Sequence, residues 1–488
     1  MAIYSVAACL FFLILYITSS YLNTVNILNS TAHLALFASY VFVFILSTRI
    51  VIKKRVVFFM LILLSVGSIA LYALHLLNLL PLPFFSHQDF QFILPTESGH
   101  NHLGDLVGLG LISSLFITFS PLLFVLQLIF IITIGVSFSK SALLALVFVA
   151  FFLMIHKKKY VVLFIGVTLI STILVGIYSK ESIPFLSLNK VQKMAQSTLH
   201  ITPKPLLSSR ERYIKQILKP WTSTPLEHLF FGYGPGNFKY ASNRVSESAW
   251  DIVSDTHNIL LTFFVESGFL PVTWFIIFVG ITILIGYKNQ NPLTYLVLYL
   301  FVHFQMDYTY RIPFFTYLFF FLCGQIAPIQ TRKSILFSLK NILIFISFSI
   351  FVIFSLMSRM ITEKYQILNN DLNNGIQTQN KKMFVSAAKE LEKMTPYETD
   401  LILTLTSFHE SFGNDEESIR LLDKLYIYAP REYFANLPHL MLLRKKMRKS
   451  TKIYLEEKEV EFKMFPFTEK EKSQLDHTCR EYLERECL

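Results

Sequence analysis

The apolar residues of this chain are gathered into runs of about 20, the length that an α-helix needs to cross the hydrocarbon core of a membrane. These runs fill most of the sequence before Met357, and the composition turns polar after it. Of the 488 residues, 53% are hydrophobic and only 16% are charged, which lies outside the usual balance of soluble domains. The sequence therefore predicts an all-α fold whose larger part is a polytopic transmembrane helical bundle.

We predict about 11 or 12 membrane-spanning helices from these runs. The runs lie at 2–21, 31–49, 56–78, 103–119, 121–138, 141–156, 160–178, 258–287, 292–306, 312–328 and 337–357. The first has neither a basic leader nor a small-residue cleavage site, which favours a retained helix over a signal peptide that is removed. The domain prediction is a transmembrane domain at 1–357 and a soluble helical domain at 358–488.

Basic residues in the short loops orient the predicted bundle, because Lys and Arg are retained on the cytoplasmic side of a membrane. Four short loops agree on one orientation: 49–55, 157–159, Lys288 and 332–333. Lys140 is the short-loop residue that disagrees. The large loop at 179–257 and the tail at 358–488 are then predicted to lie outside the cytoplasm.

The tail contains an internal repeat with a period of 34 residues. Its apolar and proline positions Val385, Ala388, Leu391 and Pro396 recur as Ile419, Leu422, Leu425 and Pro430. This period resembles the helix pairs of tetratricopeptide repeats, which bury their apolar faces by stacking on one another. The tail is therefore expected to be a tetratricopeptide-like helical domain. Two roles stay open for it, a binding surface for a protein partner or acceptor and a stabilising appendage.

Four cysteines are spread over the chain, and they form no zinc-binding pattern. Cys9 and Cys323 fall within predicted spans and are expected to pack there. Cys479 and Cys487 are eight residues apart, which on one straight helix is about 12 Å and beyond the usual reach of a disulfide.

The net charge of +11 does not indicate a nucleic-acid partner, because much of it orients the spans and no nucleic-acid motif accompanies it. Membrane lipids are the simpler partner. Between Ser179 and Asp255 the large loop holds ten basic residues against six acidic ones. A cationic loop on the outer side suits an anionic, lipid-linked substrate.

Arginine residues stand at the start of an amphipathic helix predicted in the large loop. Arg210 and Arg212 lead into apolar residues at helical spacing, between Ile214 and Trp221. A helix start presents unpaired N–H groups and the positive end of the helix dipole, and arginine adds a forked set of donors that matches phosphate oxygens. Together they predict a diphosphate clamp. The alternative is that both arginines pair with Glu211 or with lipid headgroups.

Three glycines and a proline follow in the stretch 232–238, which reads Gly-Tyr-Gly-Pro-Gly-Asn-Phe. Gly232, Gly234 and Gly236 allow a tight turn and a close approach of another backbone. The spacing differs from the dinucleotide-binding pattern G-x-G-x-x-G, and no strand–helix–strand unit is predicted to hold it. By itself this stretch indicates a turn.

His257 stands directly before an apolar run, in the sequence Asp-Thr-His-Asn at 255–258. We expect Asp255 or Thr256 to cap a helix and His257 to lie in its first turn at the membrane surface. The helix dipole would disfavour the imidazolium there and keep a neutral base available, although Asp255 acts in the opposite sense. The alternative is an interfacial histidine without a catalytic role.

The order of these pieces resembles the O-antigen ligase and polymerase superfamily, which includes lipopolysaccharide O-antigen ligases, O-antigen polymerases and protein O-oligosaccharyltransferases. The stretches that carry the resemblance are Ser209-Arg210, Gly232 to Phe238, His257-Asn258 and Glu266-Ser267-Gly268, within residues 100–325. The resemblance implies a GT-C-like fold in a bacterial cell (inner) membrane. It also implies a glycosyltransferase whose donor is an undecaprenyl-diphosphate-linked glycan.

Two further stretches resemble the superfamily. The stretch 137–142 stands where its members have a Ser-Arg-Gly/Ser segment, so Lys140 keeps the charge of the usual arginine but loses the forked geometry. His303 and Asp307 match a later H-x-x-x-D stretch, which Arg311 follows. The resemblance makes Lys140 and Arg311 further diphosphate-binding candidates and the His–Asp stretch a secondary or acceptor-binding one. The alternative for His303 and Asp307 is a polar pair that seals helix ends.

Asn101, His102 and Asp105 are polar residues at the start of the fourth apolar run. Their position at an interface makes them candidates for binding the acceptor. Because His100 and His102 flank Asn101, a metal site is an alternative. We expect no metal and no other cofactor.

The resemblance implies that an acceptor hydroxyl attacks the anomeric carbon with inversion while the lipid diphosphate leaves. His257 would take the proton of the hydroxyl or orient it. Arg210, Arg212, Lys140 and Arg311 would neutralise the leaving diphosphate, a stabilisation that grows as the bond breaks. A metal is not required for this, and the large loop contains no Asp-x-Asp pair to hold one.

Several functions stay open at this point. The acceptor could be a lipid-anchored core saccharide, a second lipid-linked repeat unit, as in a repeat-unit polymerase, or a hydroxyl of an exported protein. A lipid-linked glycan flippase or other transporter would also have many spans and buried charge. Against it, the membrane half has no internal repeat, and the ionisable residues gather in one loop. A wall-glycan polymerase of the shape-and-division type shares the reaction class but lacks a Gly-rich turn followed by His-Asn.

Overall fold

The computed structural model describes residues 2–50, 52–76, 100–118, 120–137, 139–156, 226–245, 256–327, 335–396, 398–463 and 469–483. Within these ranges the regular structure consists of helices, which confirms the all-α fold class. The predicted span at 160–178 and most of the large loop lie outside the described residues, as do Arg210 and Arg212.

The membrane half begins with six described helices: α1 (Ala2–Asn23), α2 (Ile27–Ser47), α3 (Lys54–Leu76), α4 (His100–Ser114), α5 (Pro121–Ser137) and α6 (Lys140–His156). The next described helices are α7 (Leu226–Phe231), α8 (Phe238–Val245), α9 (Ile259–Ser267), α10 (Phe269–Lys288), α11 (Leu293–Phe304) and α12 (Pro313–Ile326), with a 3₁₀ turn at Tyr308–Arg311. The span predicted at 258–287 was wrong as one helix, because the chain breaks at Gly268. That residue has a φ of +83°, which interrupts helical geometry between α9 and α10.

Four helices in the described part of the chain are long and apolar enough to cross a membrane: Tyr4–Asn23, Ile27–Ser47, Lys54–Leu71 and Phe269–Lys288. Shorter apolar helices lie at Pro121–Gly135, Ser141–Leu153, Leu293–Phe304 and Pro313–Ile326. Both sets fall on predicted runs, and they support a polytopic helical membrane protein. The number of spans, about 11 or 12 by run length, stays a prediction.

Aromatic rings fill the core of the membrane half. Phe12 of α1 lies 5.4 Å from Phe275 of α10, and Phe37 of α2 lies 6.2 Å from Phe263 of α9, measured between ring centroids. Small residues let helices approach closely, since a Cβ added to Gly324 of α12 would lie 1.8 Å from the hydroxyl of a serine in α2. This packing holds α9 and α12 in place, and His257 lies just before α9 in the chain.

The tail is joined to the membrane half by one long helix, α13 (Ile335–Gln377). With 43 residues it is about 64 Å long. The boundary predicted at 357 therefore falls inside a continuous helix. The buried core of the membrane half ends at Phe354 on α13, and the separate core of the tail begins at Leu372.

The described residues of the tail form seven further helices: α14 (Lys381–Met394), α15 (Thr399–Ser411), α16 (Asp415–Tyr428), α17 (Pro430–Ala435), α18 (Leu437–Lys446), α19 (Thr451–Lys463) and α20 (Glu469–Leu483). The repeat positions Leu391, Leu422 and Leu425 are buried in a common core of α14 and α16. The apolar period therefore marks the buried faces of two helices. Membership of the tetratricopeptide class stays a prediction.

Cys479 of α20 is disulfide-bonded, whereas Cys9 and Cys323 are free and buried in the membrane half. The expectation that Cys479 is too far from a partner was therefore wrong. It assumed one straight helix through Cys479 and Cys487, and Cys487 lies outside the described residues.

Candidate functional site

His257 lies against a carboxylate that comes from a distant part of the chain. Its Nδ1 is 3.7 Å from Oδ1 of Asp307, and its ring meets the ring of Tyr308 edge to face at 5.1 Å. The imidazole is 31% exposed, whereas the carboxylate is 1% exposed. The partly exposed His257 imidazole is therefore positioned by the buried Asp307 carboxylate.

The helix that follows His257 is capped by Asn258. The Asn258 side chain accepts a hydrogen bond from the backbone N–H of Leu261 at 2.9 Å, and its amide donates to the backbone oxygen of Gln305 at 3.0 Å. The prediction that Asp255 or Thr256 caps the helix and that His257 lies in its first turn was therefore wrong. His257 has a φ of +54°, a left-handed conformation that turns the chain before the helix begins.

Asp307 is held by several donors. It accepts the backbone N–H of Tyr308 at 2.7 Å, and the hydroxyl of Ser141 in α6 lies 3.5 Å away. Burial raises the pKa of Asp307, but the imidazoles of His257, His303 and His102 together outweigh it and lower the pKa below its ordinary value. Asp307 is therefore a carboxylate at neutral pH, and it favours one orientation of the His257 ring.

A second acid–histidine pair lies behind the first and is fully buried. His303 of α11 pairs with Asp105 of α4, and the hydroxyl of Thr309 donates to the other Asp105 oxygen at 2.9 Å. His102 lies 3.9 Å from the same carboxylate and 3.3 Å from the hydroxyl of Tyr308. These contacts join α4, α11 and the 3₁₀ turn. They bring the predicted secondary residues His102 and His303 into one cluster with His257 and Asp307.

The Gly-rich turn interlocks with the end of α9. Gly232 has a φ of +70°, and a Cβ there would lie 2.2 to 2.4 Å from the backbone of Glu266 and Ser267. A Cβ on Gly268 would lie 1.9 Å from the backbone oxygen of Phe230. The backbone N–H of Tyr233 donates to the oxygen of Val265 at 3.0 Å. The two glycine motifs are therefore two halves of one backbone contact.

Gly236 extends the turn toward Arg311. A Cβ on Gly236 would lie 2.2 Å from the ring of His33 in α2, and Nε2 of that ring is 3.5 Å from an Nη atom of Arg311. Arg311 also donates to the fully buried carboxylate of Glu266 at 2.5 Å. Glu266 therefore fixes Arg311 beside the turn. That Glu266 has a structural role is a prediction, and this geometry supports it.

A cavity of about 60 Å³ lies beside Arg311 and is lined mainly by aromatic side chains, with His33, Tyr16 and Tyr40 as polar members. This volume is far below the roughly 300–1,000 Å³ of typical ligand pockets. The cavity therefore belongs to the packing around the Arg311–Glu266 pair and is too small for a glycan.

Two more predicted residues can be placed only by their backbone. Lys140 begins α6 and Asn101 lies in the first turn of α4, while the side chains of both are outside the described part of the structure. Ser141, the neighbour of Lys140, approaches Asp307, so the start of α6 reaches the site. Among the described residues, no group of three or more His, Cys, Asp or Glu side chains could hold a metal ion.

His33, Ser141 and Tyr308 were missed by sequence reasoning. His33 had a usable signal, because it is a lone ionisable residue inside an apolar run, where such residues are costly and often functional. Ser141 and Tyr308 had none beyond their position next to motif residues. Their contacts depend on how distant helices meet.

Residues 124–276 match the model of a protein family described as O-antigen ligase. The matched segment contains the start of α6, the Gly-rich turn, His257 and the Glu-Ser-Gly stretch at 266–268. No curated protein and no solved structure matches the chain. Over these residues the match supports the superfamily that the motifs indicate.

Replacement of Gly232 by Ala should disrupt the backbone contact between the turn and α9. Gly413 offers a matched control, since its φ of +73° is nearly the same but no atom lies within 4 Å of a Cβ placed there. Gly413→Ala should cost about 1–2 kcal/mol for the left-handed conformation alone. Gly232→Ala should cost at least about 2 kcal/mol more, because backbone atoms must move. Thermal unfolding of the detergent-solubilised full chain measures both, and equal costs would contradict the interlocked geometry.

Proposed function

We propose that this member of the O-antigen ligase superfamily transfers a glycan from an undecaprenyl-diphosphate carrier to an acceptor hydroxyl at the outer face of a bacterial inner membrane. The family match supports glycosyl transfer in general. The single observation that carries the mechanism is the partly exposed imidazole of His257 held against the buried carboxylate of Asp307.

His257 acts as the general base in this proposal. The acceptor oxygen attacks the anomeric carbon from the face opposite the phosphate, so the new glycosidic bond forms as the bond to the diphosphate oxygen breaks, with inversion. The hydroxyl proton passes to the imidazole, and the carboxylate of Asp307 stabilises the imidazolium that results. Asp307 touches His257 and not the reacting atoms, so it is a positioning residue.

Negative charge develops on the leaving diphosphate as its bond to the sugar breaks, so nearby positive charge stabilises it increasingly. Arg210, Arg212 and Lys140 are proposed to supply it, together with Arg311. The pairing with Glu266 orients the Arg311 guanidinium and offsets part of its charge. Its forked donor set can still serve one phosphate oxygen beside the Gly-rich turn.

His102 and Asn101 stay the candidates for acceptor binding, and the buried His303–Asp307 stretch is proposed as their secondary support. The cluster around Asp105 supports this, because His102 and His257 both contact the side chain of Tyr308. A core saccharide, a second lipid-linked repeat and a protein hydroxyl all present the same attacking oxygen, so ligase, polymerase and protein transferase remain alternatives.

Placement outside the cytoplasm is supported by the tail. Cys479 is disulfide-bonded, a state that persists in oxidising compartments and is rare in a reducing cytosol. Contacts between the tail and α8 put the tail next to the Gly-rich turn. These contacts support the proposal that tail and site share one side of the membrane, which agrees with the basic short loops.

Replacement of His257 by Ala should lower transfer about 10²- to 10⁴-fold, the usual contribution of a general base. The assay uses labelled lipid-linked glycan and acceptor in proteoliposomes, with passage of the lipid across the bilayer measured in parallel. His439→Ala is the control, since His439 is an exposed tail histidine paired with Glu410 at 2.7 Å. Normal transfer in His257→Ala would remove the base from the mechanism, and loss of lipid passage would identify a flippase.

Chelation should leave transfer unchanged, because cationic side chains are proposed to neutralise the leaving group. Donor consumption is measured before and after EDTA, and again after a divalent metal is added back. Turnover that disappears with EDTA and returns with the metal would show that the cationic side chains do not suffice.

A further inference from the structure

The C-terminal tail grips the helix that follows the Gly-rich turn. Oε1 of Glu398 lies 2.7 Å from Nζ of Lys239, and Oε2 accepts a hydrogen bond from the hydroxyl of Tyr240 at 2.6 Å. Lys239 and Tyr240 are in the first turn of α8, which begins at Phe238 directly after the glycines. One tail carboxylate therefore holds two consecutive residues of this helix.

The course of the tail brings Glu398 back to the membrane half. α13 continues for 20 residues past Met357, which is about 30 Å. α14 then returns along it, since Lys364 of α13 pairs with Glu390 of α14 at 3.1 Å. Glu398 stands directly before α15, at the end of this return. α16 and α17 pack against α8 as well, so the contact with Glu398 is part of a larger interface.

The Tyr240 contact differs from an ordinary surface ion pair. The Tyr240 side chain is 1% exposed, and its hydroxyl also accepts from the amide of Asn26, the residue that caps α2. Burial raises the pKa of Tyr240 and the charge of Glu398 raises it further, so the hydroxyl stays protonated and donates. Exposed ion pairs contribute little, whereas a buried hydroxyl deprived of its acceptor is costly.

The same small core joins α8 to the site. Phe238 and Tyr240 of α8 are buried with Tyr233 of the turn and Val265 of α9. Asn237 at the end of the turn donates to the hydroxyl of Ser30 at 3.0 Å. A shift of α8 would therefore move the turn that rests on α9 and, through Gly236, on the neighbours of Arg311.

We propose that the tail is a brace for the donor-binding side of the site and that Glu398 is its positioning residue. The catalytic consequence rests on the proposed glycan transfer, whereas the docking itself does not. Docking holds α8 and so keeps the backbone of the Gly-rich turn closed on α9. The brace explains why a soluble helical domain is joined to the membrane half by a rigid helix and returns to it.

The test compares Glu398→Gln and Lys239→Met, singly and combined, with Glu363→Gln in the full chain reconstituted in proteoliposomes. Glu363 forms an exposed ion pair with Arg359 on α13 and is the matched control. Hydrogen exchange of residues 238–245 should rise about 10-fold in Glu398→Gln, because an amide oxygen is a weaker acceptor than a carboxylate for the Tyr240 hydroxyl and does not pair with Lys239. It should stay unchanged in the control. Transfer should fall by a similar factor at low donor concentration. Because both residues act on one contact, the double variant should be little worse than Glu398→Gln.

The two measurements separate the failure of the brace from the failure of the transfer proposal. If the wild-type chain transfers no glycan but α8 exchanges faster in Glu398→Gln, the docking stands and the transferase proposal fails. If transfer is present and Glu398→Gln matches Glu363→Gln in both measurements, the brace is overturned. Faster exchange with unchanged transfer also overturns it, because docking would then not position the site. Lys239→Met leaves the tail sequence intact and shows the same direction if tail unfolding is not the cause.

Discussion

The structure of the membrane half depends on pairing its buried carboxylates. Asp105, Glu266 and Asp307 are at most 1% exposed, and an isolated ionised carboxylate in such surroundings is very costly. Each lies beside a histidine or arginine side chain from a distant segment: His303, Arg311 and His257 respectively. The helices must meet in one way for all three pairs to form. The pairs therefore fix how these segments meet at the site.

The glycines serve this arrangement by removing side chains where two backbones meet. Gly232 and Gly268 lie 36 residues apart in the sequence. Each lies so close to the backbone of the segment that carries the other glycine that a Cβ would not fit. The loop that carries the turn is thereby fixed to the C-terminal end of α9, and His257 lies just before the N-terminal end of the same helix. The His257–Asp307 pair at one end of α9 and the interlocked glycines at the other end hold the same short helix.

Sequence reasoning recovered the features that local pattern controls. Apolar runs of about 20 residues fixed the helices, and the 34-residue period identified the buried faces of α14 and α16. It failed where several residues could play one part, as with Asp255, Thr256 and Asn258, all good helix caps. The left-handed turn at His257, the break at Gly268 and the pairing of Glu266 with Arg311 across 45 residues arise from tertiary contacts. A single sequence does not display those contacts.

The central claim is that His257 and Asp307 act as one unit, and a double-mutant cycle in the transfer assay tests it most directly. His257→Ala, Asp307→Asn and the double variant are compared with the wild-type chain at equal reconstituted amounts. If the carboxylate works through the imidazole, the double variant loses no more transfer than His257→Ala alone. Losses that multiply in the double variant would contradict the claim, since the two residues would then act independently.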